Sequence, residues 1–592
     1  MSTKRFAVWL FPLLATVLLI PGIAHADDAL RERMENLRDT RNPMVGGVRL
    51  ASARVLSDFY GQRDNGFAWN SSGQVEDLIR LAERSKEDGL QPSDFNSAEV
   101  QTLVGGGDPS LLSDASRVDA DILLSDSLLR LIHHHRYGKV DPQTLDRKWN
   151  HADGPKSTDL VRDLQNLVTA ADLEAGLQDL TSRPVFYTQL KEGLARYRAI
   201  AAAGGWPSVP PGRNLKSGMS SARAPIVRER LRVTGEYESA DPANSRLYDK
   251  DLEHAIISFQ KRHHLATDGV IGPATLAAMN VPVQQRVDQI RINLERMRWV
   301  YDELPDDFLL VDISGQEVQL LRGGDVVWRS RIIVGRQERP TPVFRDQVEY
   351  LEFNPTWTVP PTILKKDILP NARKNPSYVS KKGLKVITRD GKSVSPGSVN
   401  WHAPASNFPY MLRQPPGNKN ALGRVKFMFP NRYSVYLHDT PSRNLFSKPK
   451  RLYSSGCVRV ERPMELAELV LNNPKRWNQE KFEQILKSNR TRWVHLEEPL
   501  QIILAYWTAE VGEDGEVGFR EDIYSRDDAV LGALNGNGRL RIQYVDAPPP
   551  ESVASVASGP AAATALETDP GTTTAARDRS TTLPEGGPLV RF

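Results

Sequence analysis

Leu309-Leu310-Val311-Asp312-Ile313, then Ser314-Gly315, then Gln319-Leu320-Leu321: this run decides the fold. Apolar residues come in short blocks separated by small turn-formers, the pattern of strands rather than helices. Gly323-Gly324 supplies a second turn before Val326-Val327-Trp328, and a further block spans 331–334. Short strands on tight turns predict a β-rich domain of sandwich or barrel type, assigned to residues 283–545. Between 357 and 424 the alternation lapses into a basic stretch rich in Pro, Gly and Asn, an expected insertion that could act as a lid.

Toward the N-terminus the period lengthens. Residues 75–87 and 119–135 carry apolar side chains at helical spacing, and a mostly helical scaffold is expected over 27–220. His133-His134-His135 ends one of these helices; neighbours on a helix point to different faces, so the three cannot converge on one metal. A Gly-, Pro- and Ser-rich loop at 204–221 closes the scaffold. A small three-helix module follows at 221–282. In it Ala255, Ile256 and Phe259 share a face, Asp268-Gly269 turns the chain, and Pro273 opens the next helix in its first turn. The expected fold class is multidomain α+β, with helical scaffold, three-helix module and β-rich domain in that order. The tail, 546–592, is rich in Pro, Ala, Thr and Gly and reads as disordered.

Residues 1–26 read as a secretory signal: Lys4 and Arg5, an apolar run over 6–20, the Pro21-Gly22 break, and Ala24-His25-Ala26 as a cleavage site. The run is shorter than the ~20 residues that a membrane span needs. The mature chain is expected to start near Asp27 and to work outside the cytoplasm. The 592 residues contain one cysteine, so no internal disulfide can form. A lone exported thiol is either an inert buried group or one kept for its chemistry. Charge is distributed unevenly. Residues 361–460 hold 19 Lys and Arg against Asp367, Asp390 and Asp439, a net +16 in a chain whose total is +4. Such a block attracts an anionic partner. Nucleic acid suits an exported protein poorly; carboxylate-bearing peptides of the cell wall suit it better.

The chemistry points to Tyr453-Ser454-Ser455-Gly456-Cys457-Val458-Arg459-Val460. Small residues ahead of a cysteine leave the thiol open and free backbone N–H groups, here those of Gly456 and Cys457, to hold an oxyanion. Thiol attack also needs a base. His438 lies nineteen residues upstream, at the end of an expected strand over 434–437. Arg459 either holds a substrate carboxylate or braces the loop; Tyr436 either lines the cleft or packs.

His438-Asp439-Thr440 followed by Ser455-Gly456-Cys457-Val458-Arg459 resembles the signature of the L,D-transpeptidase catalytic domain, the YkuD domain. Val334-Gly335-Arg336 with Thr341-Pro342, and Phe353-Asn354-Pro355 with Trp357, resemble that family's early strands. The module, with Phe259-Gln260, His263, Leu265 and Asp268-Gly269-Val270-Ile271-Gly272-Pro273, resembles a peptidoglycan-binding domain. The order of parts is similar to the large Gram-negative members of the YcbB type. The resemblance implies Cys457 as nucleophile, His438 as base and Gly456 in the oxyanion hole, with Arg459, Tyr436 and Ser455 at the substrate. Ser455 departs from most relatives, which carry histidine there. It implies a periplasmic murein L,D-transpeptidase that forms 3-3 crosslinks through a thioester. The partners are then peptidoglycan stem peptides and glycan, with carbapenem-type β-lactams as covalent inhibitors and no metal or organic cofactor. The rival readings are an L,D-carboxypeptidase that trims stems with the same residues, and a non-catalytic wall-binding protein.

Overall fold

The apolar blocks that open the β-rich region fold as strands, and the small residues between them as turns. The computed structural model describes residues 26–545, apart from 106, 148, 151–153, 182, 239–244, 301–303 and 513. The secretory signal (all but Ala26) and the tail lie outside the described residues. Strands β1 (Phe308–Asp312) and β2 (Glu317–Arg322) form a hairpin with Leu309 opposite Leu320. The blocks 326–328 and 331–334, separate in the sequence, fuse into a single strand, β3 (Asp325–Gly335). No Gly, Pro or Asn separates them, and Arg329 and Ser330 stay in register with Gln319 and Val318.

The sheet is completed by β4 (Phe344–Phe353), β5 (Val425–Met428), β6 (Leu437–His438), β7 (Leu452–Ser454), β8 (Val458–Val460) and β9 (Arg492–Ala505). The nine strands run in the order β7-β3-β8-β6-β5-β4-β9-β1-β2, and β2 also pairs with β3, so the sheet closes on itself. Of the two expected architectures the chain adopts the barrel-like one. The strand expected over 434–437 is shorter than its pattern suggests. Ser434 sits at φ +55, and the Asn431 side chain accepts the Tyr433 and Val435 N–H groups at 3.0 and 3.1 Å. That turn leaves only Leu437–His438 in the ladder.

The insertion is a folded subdomain. It leaves after β4, builds a four-stranded sheet from Trp357–Thr358, Met411–Gln414, Lys385–Ile387 and Ser393–Val394, and returns at β5. Leu369, Val379, Val386, Trp401 and Leu412 form its own apolar core.

In the scaffold, the expected helices appear as Ser72–Arg84 and Asp114–Tyr137. His133 and His134 are buried, and the Phe95 ring packs on His134 and His135, so the triplet serves as core. One apolar core runs unbroken from the scaffold into the barrel, from Leu30 to Leu534. The module's three helices, Ala224–Thr234, Lys250–Arg262 and Pro273–Met279, enclose a separate core around Leu252, Ile256 and Phe259. That core also takes in Val209 and Leu215, ahead of residue 221, with Leu215 bridged to Ile271. No helix among the described residues is long and apolar enough to cross a membrane.

Candidate active site

Cys457 occupies the three-residue turn between β7 and β8, with its side chain half-buried. Strands β6 and β8 run parallel, with Leu437 beside Val458 and His438 beside Arg459. Side chains alternate along a strand, so this register places Tyr436, His438 and Arg459 on the same face as Cys457. Leu437 and Val458 point the other way, into the core. The residues singled out in the sequence are thereby gathered by one parallel strand pair.

Gly456 has φ +121, a conformation that only glycine adopts without strain. Its carbonyl accepts from the Thr341 hydroxyl at 2.9 Å, and the same hydroxyl oxygen accepts the Gly335 N–H at 2.9 Å. Gly335 is required for a different reason. A Cβ there would lie 2.2 Å from the Arg339 carbonyl oxygen, inside the turn that brings Thr341 back. Tyr524 closes this brace, donating to the Gly335 carbonyl at 2.6 Å and accepting the Thr341 N–H at 3.2 Å.

The two expected oxyanion donors differ. The Gly456 N–H already donates to Ser454 Oγ at 3.1 Å. The Cys457 N–H has no partner among the described residues and is the donor left for a developing negative charge. Ser455 accepts from Arg339 at 2.9 Å, and Arg339 in turn grips Asp367 of the insertion at 2.5 and 3.0 Å. The loop ahead of the thiol is thus tied to the inserted subdomain.

His438 is buried, with Nδ1 at 2.5 Å from the Asp439 carbonyl oxygen. A carbonyl can only accept, so Nδ1 carries the proton and Nε2 keeps a lone pair. Burial, then the Arg459 and Lys426 charges, hold the imidazole down to about 3, against the pull of the Asp439 and Leu422 carbonyls. Asp439 is itself fixed, accepting from the Arg424 and Thr440 N–H groups at 2.8 and 2.6 Å. Burial pushes the Cys457 thiol above its ordinary value, against the Tyr436 hydrogen bonds and the Lys426 and Arg459 charges. With the thiol raised and the imidazole lowered, both groups rest neutral. The thiol donates to the Ser434 carbonyl at 3.7 Å. The Tyr436 hydroxyl, also raised by burial first, shares a hydrogen bond with the thiol, and Lys426 Nζ stands 4.4 Å from its ring centre.

Four residues of this site carried little or no signal in the sequence. Thr341 and Arg336 stood inside motifs that the family resemblance picked out, but without a role. Asp439 sat in the histidine motif unassigned. Tyr524 reaches the site from beyond β9, where no pattern announced it.

Comparisons with known proteins bear on the domains. A "Scaffold domain" matches residues 54–194, a "Putative peptidoglycan binding domain" 225–279, and the YkuD "L,D-transpeptidase catalytic domain" 306–485. A Haemophilus influenzae protein named "Putative L,D-transpeptidase" is 34% identical over 307 residues, covering 50% of this chain and 61% of that protein. The chain thus spans under two thirds of that relative. Among solved structures, an L,D-transpeptidase from Xylanimonas cellulosilytica is 15% identical, covers 50% of this chain and 98% of its own, and superposes with a TM-score of 0.16. The Ldtfm–avibactam carbamoyl enzyme is 13% identical, with coverages of 53% and 98% and a TM-score of 0.16. The chain therefore contains a YkuD L,D-transpeptidase catalytic domain and a peptidoglycan-binding domain, set on a helical scaffold.

Proposed function

We propose that this protein is a periplasmic murein L,D-transpeptidase, of the large YcbB type, that forms 3-3 crosslinks between peptidoglycan stem peptides. One observation carries the reading. The chain's sole cysteine and a histidine with a free lone pair share one face of a parallel strand pair, inside a YkuD domain.

The chemistry is acyl transfer. As Cys457 Sγ attacks the carbonyl of the third stem residue, His438 Nε2 takes the thiol proton. The Cys457 N–H holds the oxyanion. Collapse breaks the amide, His438 gives its proton to the departing terminal D-alanine amine, and a thioester remains. The side-chain amine of a second stem then attacks the thioester. Its proton passes through His438 back to sulfur, and a crosslink between two third residues leaves. The inserted subdomain, joined to the loop through Arg339, would keep water from the thioester. A carbapenem is opened by the same attack and stays on the sulfur. The module at 221–282 holds the glycan-rich wall.

The test is incubation with a synthetic tetrapeptide stem, followed by intact-protein mass spectrometry and product chromatography. The reading requires an adduct on Cys457 lacking the terminal alanine, and a crosslinked dimer. Free tripeptide as the sole product would make the protein a carboxypeptidase instead.

A further inference from the structure

Two cations, Lys426 and Arg459, act on the thiol, and two more, Arg336 and Arg339, hold the loop ahead of it; their partners differ. Lys426 is neutralised by Glu352 at 3.1 Å. Arg339 is neutralised by Asp367. Arg336 and Arg459 form no ion pair with any described residue. The backbone N–H and Nε of Arg336 both donate to the Ser454 carbonyl, at 3.1 and 3.3 Å, which leaves its two terminal nitrogens without a described partner. Arg459 is half-buried, and its Nε is buried with no hydrogen-bond partner among the described residues.

Their placement follows from the sheet register. Arg336 is anchored on Ser454, three residues before Cys457, and Arg459 comes two residues after it, beside His438. Arg459 feels both the thiol and Arg336 electrostatically, so two cations anchored before and after Cys457 along the chain act within each other's field. Two like charges held close together, one of them partly desolvated, raise the free energy of the empty site. An anion relieves that cost, and a guanidinium matches a carboxylate with two parallel N–H groups.

We propose that Arg336 and Arg459 form a two-carboxylate clamp, so that the donor substrate must carry a free carboxylate on each side of the amide that Cys457 attacks. This rests on the functional reading above and narrows its substrate. The donor is then a stem with the terminal carboxylate intact on the leaving residue and the side-chain carboxylate of the diamino acid unamidated. A stem amidated at either position is a poor donor.

The experiment compares three synthetic tetrapeptides: unmodified, side-chain amidated, and C-terminally amidated. Acylation of Cys457 by each is followed by intact mass in the wild-type protein and in Arg336→Gln, Arg336→Lys and Arg459→Gln. Each amidation is expected to lower wild-type kcat/KM by about 10- to 100-fold, the usual worth of a charge-assisted hydrogen bond. In Arg336→Gln one of the two amidations should lose its penalty, to within about threefold, while the other keeps it. Arg459→Gln should show the reciprocal pattern, and Arg336→Lys should fall between, because it keeps the charge and loses the fork. Equal acylation of the wild type by all three peptides overturns the clamp and leaves the transpeptidase reading standing. So does a uniform loss toward all three in both glutamine variants. The wild-type comparison holds whether or not a variant folds, and a thermal melt identifies one that does not. Failure of every peptide to acylate a protein that a carbapenem does acylate overturns the functional reading and the clamp with it.

Discussion

If His438 serves as the base for Cys457, as proposed, both groups start neutral, and this has consequences in solution. With His438 held near 3, lowering the pH from 8 to 5 does not protonate it, so the base stays competent across that window. Wild-type acylation by a carbapenem should therefore not fall between pH 8 and 5. Iodoacetamide alkylation, which needs free thiolate, should instead climb steadily from pH 7 toward 9.5, because the thiol is raised. A plateau of fast alkylation below pH 7 would contradict the neutral pair and reveal a thiolate–imidazolium one. His438→Ala should slow acylation at pH 7 by about 10²- to 10⁴-fold, with partial recovery in alkali as hydroxide makes the thiolate. Thr341→Val removes the hydroxyl that carries both the Gly456 carbonyl and the Gly335 N–H. It should cost about 2 kcal/mol of stability and slow acylation; an unchanged melt and rate would free the loop from that anchor. That Cys457 and His438 come together on one strand pair was legible in the sequence, because each sits in a local motif of small or polar residues. The brace was not, because Thr341 and Tyr524 act through hydrogen bonds spanning 115 and 189 residues.

Helix Val283–Arg298 decides how the scaffold meets the barrel, and its sequence hides it. Arg286, Arg291, Asn293, Glu295, Arg296 and Arg298 are polar or charged, yet all are buried. Each is paired. Glu295 accepts from Arg298 at 2.6 Å, from the Val140 N–H at 2.7 Å and from Trp299 at 2.9 Å, while Arg296 reaches Asp527 at 2.6 Å. Removing one partner strands the others in a dry interior, so Glu295→Ala should lose about 3–5 kcal/mol by chemical denaturation. A loss under about 1 kcal/mol would mean that water reaches this network. Where apolar spacing governs, as in β1, β2 and the helix Asp114–Tyr137, the elements were readable. Where buried polar pairing governs, or where strands are two to four residues long as in the insertion, local periodicity carries too little information.

The described residues share one continuous core, and the three-helix module keeps a core of its own while packing on the barrel side through His263 on the Phe519 ring and His264 Nε2 at 2.8 Å from Glu510. A Cβ on Gly205 would lie 3.0 Å from Val283, so the chain leaves for the module and returns at nearly the same point. Excising 206–282 with a short Gly-Ser joint should leave carbapenem acylation within about threefold of wild type, because the module has its own core. Pelleting with insoluble sacculi should weaken. Unchanged pelleting would assign wall binding to the basic block over 361–460, and lost acylation would show that the module supports the barrel. The central claim, that Cys457 carries the acyl group between two stems, has a more direct test. Wild-type protein and Cys457→Ser are each mixed with tetrapeptide stem, and the protein mass and the crosslinked dimer are followed together. The expected result is a stem adduct and dimer from the wild type and neither from the folded serine variant, whose hydroxyl needs stronger activation than a thiol. Dimer from Cys457→Ser at a rate close to wild type would contradict the assignment.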